Sequence, residues 1–338
     1  MKILVTGGLG FIGSHTVVEL QQKGYKVVII DDCSNSSKKV LTGIKNITGT
    51  TPEFEEIDLK NRTDVSLFFK KHNDITGVIH FAASKAVGES VQNPLKYYEN
   101  NIGTLVYLLQ EIEHKKEISF IFSSSCTVYG VADKFPITET SPVKPSESPY
   151  GNTKQIGEEI LRDTCKTDTN LNAIALRYFN PIGGHESLEI GELPLGVPQN
   201  LIPYITQTGI GIRKELSVFG NDYDTHDGTC IRDYIHVTDL ANAHLAALER
   251  LINKKNKEKF EVFNIGTGKG STVLDVIKAF EAVSNKKLPY KFVDRRPGDV
   301  RAYYADTTLA NEELGWKAKS NLNNAVKTAW EWEQKIQS

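Results

Sequence analysis

Short apolar runs and longer amphipathic stretches alternate along the first half of the chain. Residues 2–7 are apolar with no polar alternation, which predicts a short strand buried on both faces. A helical pattern follows to about residue 23. Further strands are expected at 26–30, 53–57, 77–82 and 118–122, the fourth apolar except for His80, which reads as a satisfied core histidine. Helices are expected at about 62–72 and, as one long amphipathic element, about 91–114. This order predicts an α/β fold: a doubly wound parallel sheet of the Rossmann type with helices on both faces. Ligands should then gather at the carboxyl ends of the strands.

From about residue 180 the pattern becomes irregular. Pro181, Gly183, Gly184, Gly191, Pro194, Gly196 and Pro198 punctuate a long loop, and loops of that length are usually functional. A helical pattern resumes near Asn200-Leu201. A strand at 261–266 and helices at about 272–284 and 322–335 close the chain. The expected division is a cofactor domain over 1–180 and a smaller α/β substrate domain over 181–338, with an approximate boundary and exchanged segments.

Composition narrows the functions. The chain has 338 residues, 39% hydrophobic and 24% charged, with a net charge of −2. That balance gives no reason to expect nucleic acid or an acidic membrane surface as partner. No apolar run approaches the roughly 20 residues of a membrane-spanning helix. Met1-Lys2 leads straight into the first strand, too short for a signal-peptide core. The lysines at 253–260 are diluted by Glu258 and read as a solvated loop. Cys33, Cys126, Cys165 and Cys230 lie far apart, so reduced thiols in a cytoplasmic protein are expected. His185 and His226 lack metal-ligand spacing, Trp316, Trp330 and Trp332 carry no cofactor signal, and no metal is expected.

Chemistry enters with the turn after the first strand. Gly7, Gly10 and Gly13 stand between strand and helix, where glycines allow a tight turn, close approach of a pyrophosphate and helix–strand packing. The free N–H groups of the helix would face the phosphates. The second strand ends in Asp31, whose carboxylate suits the adenosine ribose hydroxyls and would repel the extra phosphate of NADP. NAD is therefore expected, although Lys38 and Lys39 lie nearby. Asp58, Phe81-Ala82-Ala83 and Ser123-Ser124-Ser125 fall at the ends of later strands. Beyond them, Ser148 can cap a helix with Pro149 at its first position. Tyr150 and Lys154 then share one face of it, four residues apart. A Lys ammonium beside a phenol favours the phenolate, and the helix N-terminus pushes the same way. A surface Tyr and Lys on an ordinary helix would show the same spacing.

Three strings carry a resemblance: Thr6 to Gly13, Ser123 to Gly130, and Tyr150-x-x-x-Lys154. They resemble the fingerprint of the extended short-chain dehydrogenase/reductase family. Lys85 to Ser90, Leu176 to Asn180, Val218 to Tyr223, Asp227 to Thr229 and Arg232 to Val237 extend the likeness to the sugar-nucleotide epimerases of that family, over residues 1 to about 335. The resemblance implies tightly held NAD and reversible oxidation at C4 of a UDP-sugar, interconverting UDP-galactose and UDP-glucose, in a cytoplasmic homodimer built on the helices at about 91–114 and 149–168. Tyr150 would be the base, Lys154 its charged neighbour and Ser125 the bridge to the sugar oxygen. Implied cofactor contacts are Gly7, Gly10, Phe11, Ile12, Gly13, Asp31, Asn35, Asp58, Leu59, Phe81, Ala82, Ala83, Lys85, Asn100, Ser123, Tyr150, Lys154 and Phe179. On the substrate side, Asn180, Asn200 and Leu201 would touch the diphosphate and Arg232 and Arg296 would clamp it. Phe219 would lie by the uracil and Asp299 would accept from the ribose, with Tyr178, Ser217 and Tyr234 alongside.

Two details refine this. Cys126-Thr127 stands where related dehydratases carry an Asp-Glu pair, which favours epimerisation. Tyr303 stands where a bulky residue narrows the pocket beside sugar C2, which favours glucose and galactose over N-acetylhexosamines. One detail departs from the family: a residue is missing between the Asn100-Asn101 pair and Gly103-Thr104, so the role of Asn100 stays open. Epimerisation of another UDP-sugar (an N-acetylhexosamine, pentose or uronate) and a non-catalytic NAD-binding sensor are the alternatives.

Overall fold

In the computed structural model the described residues are 1–113, 117–167, 170–296 and 299–338. The expected strands form β1 (Lys2–Thr6), β2 (Lys26–Asp31), β3 (Glu53–Glu56), β4 (Ile75–His80) and β5 (Ile118–Ser123). The sheet has seven strands. Its further members are β6 (Leu171–Tyr178), which the pattern reading did not pick out, and the Phe260–Ile265 strand. With that last strand at one edge, the order runs 260–265, β6, β5, β4, β1, β2, β3, all parallel.

The period-2 alternation of each strand divides the core. Ile3, Val5, Val27, Ile29 and Ile79 point to one face, where they pack with α1 (Phe11–Gln22) and α2 (Lys39–Thr48). Leu4, Val28, Ile30 and Val78 point to the other, against α3 (Arg62–Lys71) and residues 105–112.

The stretch expected as one helix over 91–114 is four pieces, and residue 114 lies outside the described residues. They are α4 (Val87–Gln92), α5 (Pro94–Tyr98), a π-turn at Glu99–Gly103 and α6 (Thr104–Ile112). Pro94 cannot continue a helix from α4 but serves as the first residue of α5. Next comes α7 (Pro149–Lys166), which carries Tyr150 and Lys154; the expected end at 168 lies outside the described residues.

The second half crosses back. Beyond β7 (Asn180–Ile182) come α8 (Leu201–Gly209), β8 (Leu216–Phe219), β9 (Ile231–Arg232), β10 (Tyr234–His236) and α9 (Val237–Ile252). The edge strand, now β11, follows α9. Helix α9 packs against α1, and its Leu240, Leu245 and Leu248 join the first core face. The chain ends with β12 (Ser271–Thr272), α10 (Val273–Ser284), β13 (Tyr290–Val293), β14 (Ala302–Tyr303), α11 (Thr308–Glu313) and α12 (Leu322–Gln337). Helices α8, α10 and α12 enclose a separate core with Phe280 and Trp330. Short ladders β7–β10, β8–β13 and β12–β9–β14 frame the second half of the chain.

Candidate active site

The glycine turn is held by its own backbone. Gly7 has φ +67 and donates its N–H to Ile30 O at 2.7 Å. A Cβ on Gly7 would lie 2.8 Å from Ala82 N, and one on Gly13 2.2 Å from Gly7 O, so neither position accepts a side chain. Gly10 is the N-cap of α1, and among the described residues no side chain caps that helix. Phe11 and Ile12 open its first turn. Asp31 is buried and accepts from Leu9 N at 3.0 Å, Cys33 N at 3.0 Å and Ser36 Oγ at 2.7 Å. The carboxylate thus ties the turn to the tip of β2.

Asn35 and Asp58 are exposed beside this edge and Leu59 is buried. Lys38 is paired with Glu56, so the nearby lysine is turned to a carboxylate. Phe81 donates its N–H to Thr6 O and rests its ring 4.6 Å from that of His244. Ala82 N donates to Thr6 Oγ1 at 3.3 Å, and Ala83 follows at the end of β4. A side-chain-free turn, uncapped helix N–H groups and a buried carboxylate at the next strand end fit a dinucleotide with a free ribose diol.

Tyr150 and Lys154 lie inside the protein, 8% and 4% exposed. Ser148 Oγ accepts from Gly151 N at 3.2 Å and so caps α7. Lys154 Nζ donates to Ser123 O at 2.8 Å and lies 5.9 Å from the Tyr150 ring centroid. Burial pushes the Tyr150 phenol well above its ordinary value of 10; Tyr178 adds to this and Ser125 opposes it. Burial pulls Lys154 down to about 8, with Glu158 opposing. Burial thus opposes the phenolate that the neighbouring lysine and the helix N-terminus are expected to favour. Ser125 Oγ accepts from Thr127 N at 3.2 Å and Thr127 Oγ1 at 3.0 Å, which fixes its rotamer at the end of β5. Ser123 Oγ meets Tyr178 OH at 2.8 Å. His80 meets Thr6 Oγ1 at 2.7 Å and stays neutral in the core, its pKa pulled to about 3 by burial.

Of the Asn pair, Asn101 is the buried one. Its Oδ1 accepts from Ser84 N at 2.8 Å, and its Nδ2 donates to Ser84 O and Thr153 Oγ1, both at 3.0 Å. It pins the loop after β4 to α7. Asn100 is half-buried and its Nδ2 donates to Ser84 Oγ and Asn101 Oδ1, at 3.2 Å each.

On the substrate side, Tyr303 is buried and donates to the carbonyls of Cys126 (3.0 Å) and Gly130 (2.9 Å). Its ring lies 5.9 Å from that of buried Phe179. Arg232 is ion-paired with Asp299 and donates to Val300 O at 2.9 Å, so the expected phosphate and ribose ligands hold one another. Arg296 stacks on Phe219 at 4.1 Å. Asn180 is exposed, Ser217 lies half-buried on β8, and Tyr234 is buried on β10. Asn200 sits at the N-cap position of α8, just before Leu201, yet its Nδ2 donates to Glu192 Oε1 at 2.7 Å. Glu192 also lies 3.8 Å from Lys85, and burial pushes its carboxyl up. Glu192, Asn101, Glu158 and Arg177 escaped the sequence reading, since nothing in their local spacing announces a partner far along the chain. Among the described residues one trio, His226, Asp227 and Asp275, brings three possible ligand atoms within 4.8 Å. Its carboxylates already serve Thr229 and the Thr272 capping box.

The family model described as GDP-mannose 4,6 dehydratase matches residues 4–329. A UDP-glucose 4-epimerase of Haemophilus influenzae is 50% identical over 334 residues, covering 99% of this chain and 98% of its own. The crystal structure of a UDP-glucose 4-epimerase from Stenotrophomonas maltophila, with bound NAD and formylated UDP-arabinopyranose, superimposes with a TM-score of 0.95 at 44% identity, covering 100% of this chain and 99% of that one. That of Bifidobacterium longum, in complex with NAD+ and UDP, gives 0.94 at 44% identity over the same shares.

Proposed function

This chain belongs to the UDP-glucose 4-epimerases of the extended short-chain dehydrogenase/reductase family, and from that premise we propose how its residues carry the reaction. The enzyme is an isomerase that interconverts UDP-galactose and UDP-glucose with NAD. Bound NAD supplies a reversible hydride acceptor at sugar C4 and a positive ring that favours the Tyr150 phenolate. Gly7, Gly10, Gly13 and the first turn of α1 hold the pyrophosphate, and Asp31 the adenosine ribose.

Tyr150 takes the proton of the sugar 4-OH and later returns it. Lys154 provides the positive charge beside it, and Ser125 Oγ bridges the sugar oxygen to the phenol. The 4-keto sugar turns in the site, so that C4 would regain its hydrogen on the opposite face while O4 regains its proton from Tyr150; the change of face is what inverts C4. Arg232 and Arg296 exchange their present partners for the diphosphate, where the guanidinium fork forms paired charged hydrogen bonds. Phe219 serves the uracil and Asp299 the ribose. The carrying observation is that Tyr150, Lys154 and Ser125 are all buried at the carboxyl end of β5, two strands from the glycine turn.

Tyr303 supports glucose and galactose as the sugars. Its hydroxyl is tied to two carbonyls, so its ring cannot swing aside for a 2-acetamido group. Purified protein given UDP-galactose and no added cofactor should form UDP-glucose, and UDP-N-acetylglucosamine should turn over far more slowly. Absence of product with added NAD would sink the reading, and equal turnover of the N-acetylated sugar would sink the role of Tyr303.

A homodimer resting on α4–α6 and α7 is proposed as well. Val87, Val91 and Leu95 are exposed along that side, Leu95 by 80%. Light scattering at the monomer mass would refute it. All four thiols are free, in keeping with a cytoplasmic site, and no helix among the described residues is long and apolar enough to cross a membrane.

A further inference from the structure

The face of α7 that carries Tyr150 and Lys154 continues one turn further to Glu158, which the reaction as written does not use. Glu158 is 3% exposed. Ser124 Oγ donates to its Oε1 at 2.6 Å, and Arg177 from β6 embraces it with Nε at 2.9 Å and Nη2 at 2.5 Å. The guanidinium lies 4.7 Å from the Tyr129 ring, and Tyr129 OH donates to Asn264 Oδ1 at 2.7 Å. A chain of polar contacts thus runs from β11 through β6 into the serine run that forms the active-site wall. Ser124 is the middle of that run. Its neighbours are Ser123, whose carbonyl receives Lys154, and Ser125, which faces Tyr150.

We propose that Glu158 is a positioning residue for the epimerisation: through Ser124 it holds the serine run that seats Lys154 and Ser125, and it sets a carboxylate one helical turn beyond the Lys154 ammonium. The groups facing Lys154 leave this task to Glu158. His80 of β4 is held neutral and Phe122 of β5 presents its ring at 4.9 Å. Tyr178 of β6 and Tyr97 of α5 face the Tyr150 end and are phenols. Burial works against the ammonium, and Glu158 is the carboxylate that opposes it. Arg177 pairs with that carboxylate in the interior.

The inference rests on Tyr150 and Lys154 as the base and its charge. That reading fails separately, by turnover surviving Tyr150→Phe. The test compares Glu158→Gln with the double variant Glu158→Gln/Arg177→Met, since the single change strands a buried arginine. The glutamine keeps an acceptor for Ser124 but removes the charge. We expect bound NAD to be retained and kcat near pH 6.5 to change little. The alkaline limb should move down by about one pH unit, so that kcat at pH 9 falls about tenfold. The double variant should regain thermal stability and keep the displaced limb. Wild-type pH profiles in both variants, with activity lost only in proportion to folded protein, would overturn the proposal and leave Glu158 a structural residue.

Discussion

Burial drives the Tyr150 phenol and the Lys154 ammonium toward their neutral forms, one upward and the other down to about 8. A positive charge arriving beside the phenol would oppose the burial effect on Tyr150. Tyr150→Phe removes only the hydroxyl; kcat should fall by about 10²–10⁴-fold while NAD still co-purifies, checked by turnover and by absorbance of the released dinucleotide. Tyr150, Lys154, Asp31 and the three glycines were legible in the sequence because their meaning lies in local spacing. Glu158, Arg177, Asn101 and Glu192 were not. Each acquires its role from a partner that only folding delivers, as Arg177 does 19 positions from Glu158. Burial of Tyr150 was not legible either, since spacing shows the neighbouring charge but not the depth at which the phenol lies.

The elements were legible where their periodicity was clean. The sheet strands from β1 to β5 lie within a residue or two of expectation; β1, β2, β4 and β5 are buried and centre on apolar runs, whereas β3 is a polar strand at the sheet edge. Helix α2 and strand β6 went unread although their apolar patterns are present, as did α9, whose stripe of Leu240, Ala243 and Leu248 packs on the sheet. The long pattern over 91–114 misled because its apolar stripe continues across Pro94 and the π-turn. Two element ends carry predictions. A methyl group at Gly13 would press into Gly7 O, so Gly13→Ala should destabilise the fold by about 1–3 kcal/mol, seen in urea unfolding, and strip NAD from the purified protein. At the start of α7, Ser148→Ala removes the cap on Gly151 N and should cost about 1 kcal/mol with the reaction chemistry intact.

Across the whole molecule, buried histidines set an acid limit. His15 and His80 are held to about 3 and His244 to about 4 by burial, against an ordinary 6.5. Above pH 6.5 neither the folded nor the unfolded chain protonates them, and they add no pH dependence. Below it the unfolded chain takes up protons that the folded chain refuses, so stability falls with pH, by about 4 kcal/mol per unit for the three together. Urea midpoints should drop steeply between pH 6.5 and 5, and His80→Gln should lower that slope by about a third. The sheet carries another consequence. Its edge strand β11 is supplied by residues 260–265, long after β6 has been made. During synthesis the first 180 residues therefore emerge with β6 as an open edge, and with the α1 face of the sheet lacking α9. A nascent chain stalled there would offer that edge to its neighbours on the polysome until residues 260–265 arrive to cover it.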